Sequence, residues 1–356
     1  KPVYRISINP GALCLGFAGI SLLVFALASR ADYQFELDGS YSEINGSDAN
    51  PENLNLSGEW FFKTIDDSQG PLAEAGFLSG ESSLSYAFDR TESQFFVFRS
   101  PGTDSRRVAS RGHDAALRYV FPESGWIISA GGNFTNPPNF PTAENNAVDS
   151  DQYGLTLGVG RYLNRFTTLE LFARYDESST KNTLSVECLQ FFIADPNCQR
   201  IEQKFNFESE AMGISAQFRR VGRIGRAIFS TTARIGYTDI DATNTTTGFE
   251  VVGEVSDTGL LPLIPANRTS ANSDSWDALL AGSWYPLDQL GFDLNYTFSS
   301  FGPQDNHGVG VGFGWFINPT FEVRGNHSWN FSEGGGAIGI ANDDTRQWRA
   351  TLRARF

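Results

Sequence analysis

The sequence predicts an all-β fold, a transmembrane antiparallel up-and-down β-barrel of about fourteen strands. Three observations carry this. Beyond residue 32, apolar and polar residues alternate with period two along most of the chain. The alternating runs come in pairs around short turns, and the connections between pairs are long and polar, as in barrels with one short-turn side and one long-loop side. In residues 348–356, Trp348, Ala350, Leu352, Ala354 and Phe356 share one face, and Arg349, Thr351, Arg353 and Arg355 share the other. A greasy face opposite an arginine-rich one suits a wall between lipid and water better than a sandwich strand.

At the amino end, Lys1 and Arg5 precede an uncharged, largely apolar run over residues 11–28, followed by Ser29-Arg30-Ala31. This reads as a secretory signal cleaved after Ala28 or Ala31. The rival is a transmembrane anchor, since roughly 18 apolar residues is the lower limit for a span. Small residues dilute the run and a cleavage-like site follows, which favours the signal. The domain reading is therefore a signal peptide over 1–31 and a barrel over 32–356. Leu13 before Cys14 is too bulky for a lipoprotein box.

The strands then follow in order. Tyr33, Phe35, Leu37 and Tyr41 alternate with Gln34, Glu36, Asp38 and Ser40; Leu54, Leu56, Trp60 and Phe62 come next. Leu84, Tyr86 and Phe88 open a third strand, expected to change register across residues 89–92 and continue toward Phe98. Leu117, Tyr119 and Phe121 meet a tight turn at residues 122–125, and Ile128, Ala130 and Phe134 return from it. Further hairpins turn at residues 163–165, 221–226, 286–289 and 318–319. The long polar connections fall at 136–150, 176–204, 239–273 and 332–344, which places both barrel termini on the short-turn side. Residues 65–80 are the exception, a long connection on the short-turn side.

Two segments resemble known families. The closing strand is similar to the terminal strand of Gram-negative outer-membrane barrels, in which the last aromatic is an assembly signal. That resemblance implies an outer-membrane location, with Trp348 and Phe356 read by the barrel assembly machinery. Gly70-Pro-Leu-Ala-Glu-Ala-Gly-Phe-Leu78 resembles a segment found in a porin family of marine and related proteobacteria.

Composition narrows the partners. The chain carries a formal charge of -14, with 36 Gly and 30 Phe, and this acidic balance argues against nucleic acid. The polar loops hold many carboxylates, among them Glu144, Asp195, Glu254 and Asp257, while Arg161, Arg165, Arg219, Arg220, Arg223 and Arg226 crowd the short turns. Acidic loops suit lipopolysaccharide through bridging divalent cations and basic turns suit anionic lipid, although solvated loops need no partner. Past the signal only Cys188 and Cys198 remain, and in an oxidising compartment they form a disulfide; two free thiols are the alternative. No enzyme, metal or cofactor is expected. His113, His307 and His327 lack ligand spacing, His327 and Ser328 face opposite ways on a strand, and residues 334–336 lack the Lys-Ser/Thr of a phosphate loop.

If the apolar faces look at lipid, the lumen is lined by Glu36, Asp38, Glu59, Arg118, Glu170, Arg174, Arg234, Asp277, Asp293, Glu322, Arg324, Arg349, Arg353 and Arg355. Both charge signs on a polar inner face fit a hydrated channel; mutual pairing that fills the interior is the alternative. A wall of this size leaves a partly open bore, since eight-stranded barrels are the ones side chains fill. Gly308, Gly310, Gly312 and Gly314 leave one inward face without side chains, which either serves a constriction opposite or relieves crowding from Glu322, Arg324 and Asn326. The function expected is a passive porin for small hydrophilic solutes. A structural or adhesive barrel with a closed lumen and partner-binding acidic loops is the alternative. Glu36, Asp38 and Glu59 argue against a carrier of apolar compounds.

Overall fold

The computed structural model describes residues 33–45, 51–99, 102–136, 148–187, 198–247, 250–253, 267–302, 304–333 and 345–356. The expected signal segment 1–31 and Cys188 lie outside them, as does the side chain of Cys198, the partner expected for Cys188.

The described strands are β1 (Tyr33–Asn45), β2 (Glu52–Ile65), β3 (Ser83–Arg99), β4 (Gly102–Val120), β5 (Trp126–Asn136), β6 (Val148–Asn164), β7 (Thr167–Glu187), β8 (Cys198–Ile224), β9 (Ala227–Thr246), β10 (Glu250–Gly253), β11 (Asn267–Leu287), β12 (Leu290–Phe301), β13 (Gln304–Asn318), β14 (Phe321–Glu333) and β15 (Thr345–Arg355). Each pairs antiparallel with its neighbours, and the sheet closes on itself through β1–β15 and β8–β9. The four-residue β10 only extends the edge of β8, so the closed wall has fourteen strands. At the β1–β15 seam, the amides of Gln34 and Phe35 donate to the Phe356 carbonyl at 2.7 and 2.9 Å.

The period-two pattern sorts the wall into two faces. Outside, Leu157, Ile214 and Leu294 are 53%, 66% and 59% exposed, far too much apolar surface for a wall facing water. Aromatics cluster at both ends of this band. Trp60, Phe62, Tyr119, Phe121, Trp126 and Trp284 ring the turn end, and Tyr86, Phe134, Tyr153, Tyr237, Trp276 and Trp348 the loop end. Such paired girdles mark the two interfaces of a bilayer.

Two expectations about the strands need correcting. The described parts of 176–204 and 239–273 are almost wholly strand: β7 and β11 run for 21 residues, β9 for 20 and β8 for 27. About 9–11 residues cross a membrane, so these four strands project well beyond the lipid band at the loop end. There both faces are wet, the apolar face stops, and the hydrogen-bond ladder continues without it. For the same reason β3 keeps one register from Ser83 to Arg99, and no change occurs at residues 89–92. Asp89-Arg90-Thr91-Glu92 merely carries no apolar member.

Candidate functional site

The connection between β2 and β3 does not hang outside the wall. Asp66 caps a 3-10 turn over Asp67–Gln69 by accepting from the Ser68 amide at 3.0 Å, a second turn covers Leu72–Glu74, and a helix over Ala75–Ser79 ends at Gly80. Gly80 has φ 63, a left-handed cap that glycine adopts without strain. This segment turns into the bore and crosses its turn end. The Leu72 amide donates to the Asp288 carbonyl at 2.9 Å, and Arg355 Nη1 donates to the Leu72 carbonyl at 2.9 Å. Glu74 accepts from Arg219 at 2.6 Å and from the Tyr285 hydroxyl at 2.8 Å. Tyr162 donates to the Phe77 carbonyl at 3.0 Å, and the Arg219 guanidinium sits 4.4 Å over the Phe77 ring. The anchors belong to β6, β8, β11 and β15, so the plug is tied to well-separated parts of the wall.

Apolar packing adds to these ties. Leu78 packs with Val221, Ile228 and Tyr285, and Ala75 with Tyr33, Phe61 and Ile65. Leu72 and Leu78 are nearly fully buried, each worth about 1.5–3 kcal/mol. The sequence reading marked residues 65–80 as anomalous without turning them inward. The missed signal was twofold: helix-spaced Leu72, Ala75 and Leu78, and apolar residues such as Phe61, Val221 and Phe316 at inward positions near the turn end.

Strand register puts all fourteen nominated charged residues on the inner face, but they fall into two groups. Near the plug they are locked in pairs. Arg355 is 3% exposed, bonds Glu36 at 2.8 Å and lies between the rings of Tyr33 and Phe316 at 4.5 and 4.6 Å. Arg353 grips Asp38 with two bonds of 2.7 and 3.1 Å and reaches Glu322 at 3.6 Å, while Arg324 holds the other Glu322 oxygen at 2.6 Å. Arg118 meets Glu170 at 3.4 Å, and Glu59 stands cross-strand from Glu36. Away from the plug the groups are solvated. The Arg234 and Asp277 side chains are 47% and 37% exposed at 3.2 Å from each other, and Arg174 is 57% exposed beside Asp176. Asp293 is half-buried and Arg349 exposed.

Trp348 and Phe356 lie on the outer face. Trp348 packs on Tyr41 at 5.3 Å with its indole donating to Glu43 at 3.3 Å, and the Phe356 ring lies 6.4 Å from Phe35. Each histidine sits among outer-face aromatics: His113 bonds Tyr86 at 2.7 Å, His307 bonds Tyr296 at 2.8 Å, and His327 packs on Trp329.

No protein-family model and no curated protein matches the chain. Among solved structures, the Acinetobacter baumannii outer membrane protein Omp33 is similar at 16% identity and a TM-score of 0.45, covering 92% of this chain and 100% of its own. The CymD monoaromatic hydrocarbon channel is similar at 10% identity and a TM-score of 0.47, covering 91% and 89%. The Pseudomonas putida toluene transporter TodX is similar at 10% identity and a TM-score of 0.46, covering 90% and 88%.

Proposed function

We propose that this chain is a porin of the bacterial outer membrane, through which small hydrophilic solutes diffuse passively, with the segment at residues 66–82 restricting flow at the periplasmic end. The observation that carries the reading is the split of the inner face. Solvated charges of both signs, Arg174, Arg234 and Asp277 among them, line one region of the bore, while paired and buried ones seat a plug at the turn end. Solvated charges support an aqueous lumen, because a filled interior would bury them. The apolar band between two aromatic girdles supports a membrane setting, and the closing strand's resemblance supports the outer membrane and delivery by its assembly machinery. Lipopolysaccharide and outer-membrane lipid are then the surroundings of the wall. Transport rather than catalysis is the reading, since solvated charges of both signs along the bore suit the passage of polar solutes.

A second reading draws on the same plug. A barrel sealed at one end with β7, β8, β9 and β11 projecting at the other suits an adhesive or structural surface protein whose loops meet a partner. Planar-bilayer recordings decide between them: the porin reading expects discrete conductance steps from purified protein, and the adhesive reading expects none.

A further inference from the structure

Around the turn end of the wall the outward positions are mostly apolar or aromatic, Phe62, Tyr119, Trp284 and Ile317 among them. Two break the pattern. Strand register places Arg161 of β6 and Arg220 of β8 on this outer face, Arg161 across from Leu169 and Arg220 one row nearer the turns, between Thr167 and Thr231. Both are exposed, and neither has an ion-pair partner among the described residues. The Arg161 guanidinium rests 5.6 Å from the centre of the Trp126 ring, while Arg220 bends toward the turns, its Nε 4.0 Å from where a Cβ on Gly222 would stand. The two arginines are two strand spacings apart, about 10 Å, so a phosphate over Thr167 and Leu169 of the intervening β7 lies within reach of both.

Interfacial arginines by themselves only keep their heads in water. Here a second feature lies directly above them. Over β6–β9 the outer face is hollowed into an apolar groove of about 860 Å³, lined by Leu157, Val159, Ala173, Ala216, Ile235 and Trp276. Ala173 stands across from Ile214, and Ala216 between Leu171 and Ile235, so short side chains sit among long ones and the surface dips. Val159 and Leu157 follow Arg161 on the same face of β6, about 7 and 13 Å along the strand. One leaflet is half of a hydrocarbon core of about 30 Å, so the groove matches the depth of the leaflet whose headgroups meet the arginines. The charge at its foot selects the occupant. Arg165, Arg223 and Arg226 at the two adjoining turns add to the positive field, against Glu123 of the next turn.

We propose that this face binds a single anionic phospholipid of the leaflet at the turn end, its phosphate held between Arg161 and Arg220 and an acyl chain laid in the groove. Guanidinium groups suit this ligand because they donate paired hydrogen bonds to phosphate oxygens and stay charged. A zwitterionic lipid offers the same phosphate, but its ammonium meets the positive field of the turns. A second copy of this chain, seated on the same face by two-fold symmetry, would set arginines against arginines. The proposal rests on the membrane setting of the porin reading and not on conduction, and the test keeps the two apart.

The full chain, purified in detergent, is titrated with phosphatidylglycerol, with phosphatidylcholine of the same acyl chains and with glycerol phosphate, and bound lipid is counted by native mass spectrometry. The parent should retain one phosphatidylglycerol per barrel in preference to phosphatidylcholine, and glycerol phosphate should not displace it. Arg161→Gln with Arg220→Gln should weaken that binding about thirtyfold, each interfacial arginine contributing roughly a factor of five. Arg223→Gln with Arg226→Gln removes the same charge and should weaken it far less. Ala173→Leu with Ala216→Leu fills the groove and should lower retention of long-chain but not short-chain phosphatidylglycerol; this pair leaves every charge in place and carries the test if the Arg161 and Arg220 pair fails to give a heat-modifiable barrel. Equal losses in the two glutamine pairs, displacement by glycerol phosphate, or barrel dimers in place of bound lipid overturns the proposal. Specific lipid retention by a chain that passes no current in planar bilayers defeats the porin reading alone, and normal current without specific retention defeats the lipid site alone.

Discussion

Glu74 is the ionic tie between plug and wall, and its removal is the sharpest perturbation of the closed state. Glu74→Ala deletes the bonds from Arg219 at 2.6 Å and Tyr285 at 2.8 Å. Hydrogen bonds to a charged group contribute about 1.5–3 kcal/mol each. The Arg219 side chain is 33% exposed and rehydrates when the plug leaves, which discounts its share. A total of about 3 kcal/mol is therefore reasonable, and it shifts the ratio of unseated to seated plug by roughly a hundredfold. The wall itself is untouched, because the β-ladder and the Arg355–Glu36 pair do not involve Glu74. Single-channel recording should show openings larger than the parent's, with their dwell fraction rising by up to about two orders of magnitude. Glu74→Gln keeps a bond to Tyr285 and should fall between the two. Openings of parental size and frequency in Glu74→Ala, from protein folded as judged by heat modifiability, would show that the plug does not limit flow.

Other perturbations reach different parts of the account. Arg355→Ala removes the closer of the two arginines that hold buried Glu36, leaving Arg353 at 3.7 Å, and should cost toward the low end of about 3–5 kcal/mol, seen as a lower temperature for conversion of the folded to the unfolded gel band; an unchanged temperature contradicts the packing described. Phe356→Asp should lower insertion into the outer membrane without affecting export, whereas normal yields of folded barrel would remove the closing aromatic from assembly. Asp277→Asn and Arg234→Gln should move the reversal potential in opposite directions at low salt, with both shifts fading near 1 M where the Debye length is about 3 Å. Identical behaviour of that pair would place them off the ion path. Glu36 is unsuitable for such a test, since neutralising it leaves Arg355 buried without its counter-charge.

The wall was legible in the sequence because lipid imposes a strict rule: every second residue must be apolar, as in Leu155, Leu157 and Val159 on β6. Where lipid ends, the rule ends, and so the polar upper halves of β7, β8, β9 and β11 looked like loops. The same logic explains the inner face. Alternation alone assigns Glu36, Arg355, Asp277 and Arg234 to one side, but it carries nothing about which of them are buried and paired. That distinction depends on the plug, whose contacts link Glu74 with Arg219 and Tyr285 across 145 and 211 residues. No local pattern reports separations of that kind. The plug's own amphipathic spacing at Leu72, Ala75 and Leu78 was readable, yet its place inside the bore required the apolar inward residues of distant strands.

Solute entry into liposomes measures the central claim, a polar bore restricted at the turn end by residues 66–82, most directly. Swelling rates in a small neutral sugar are compared for the parent and for the chain with residues 67–80 replaced by a short Gly-Ser linker. The account predicts slow entry for the parent and much faster entry for the linker chain, with rates falling as the sugar grows. Equal rates for the two chains, or no entry through either, would contradict it.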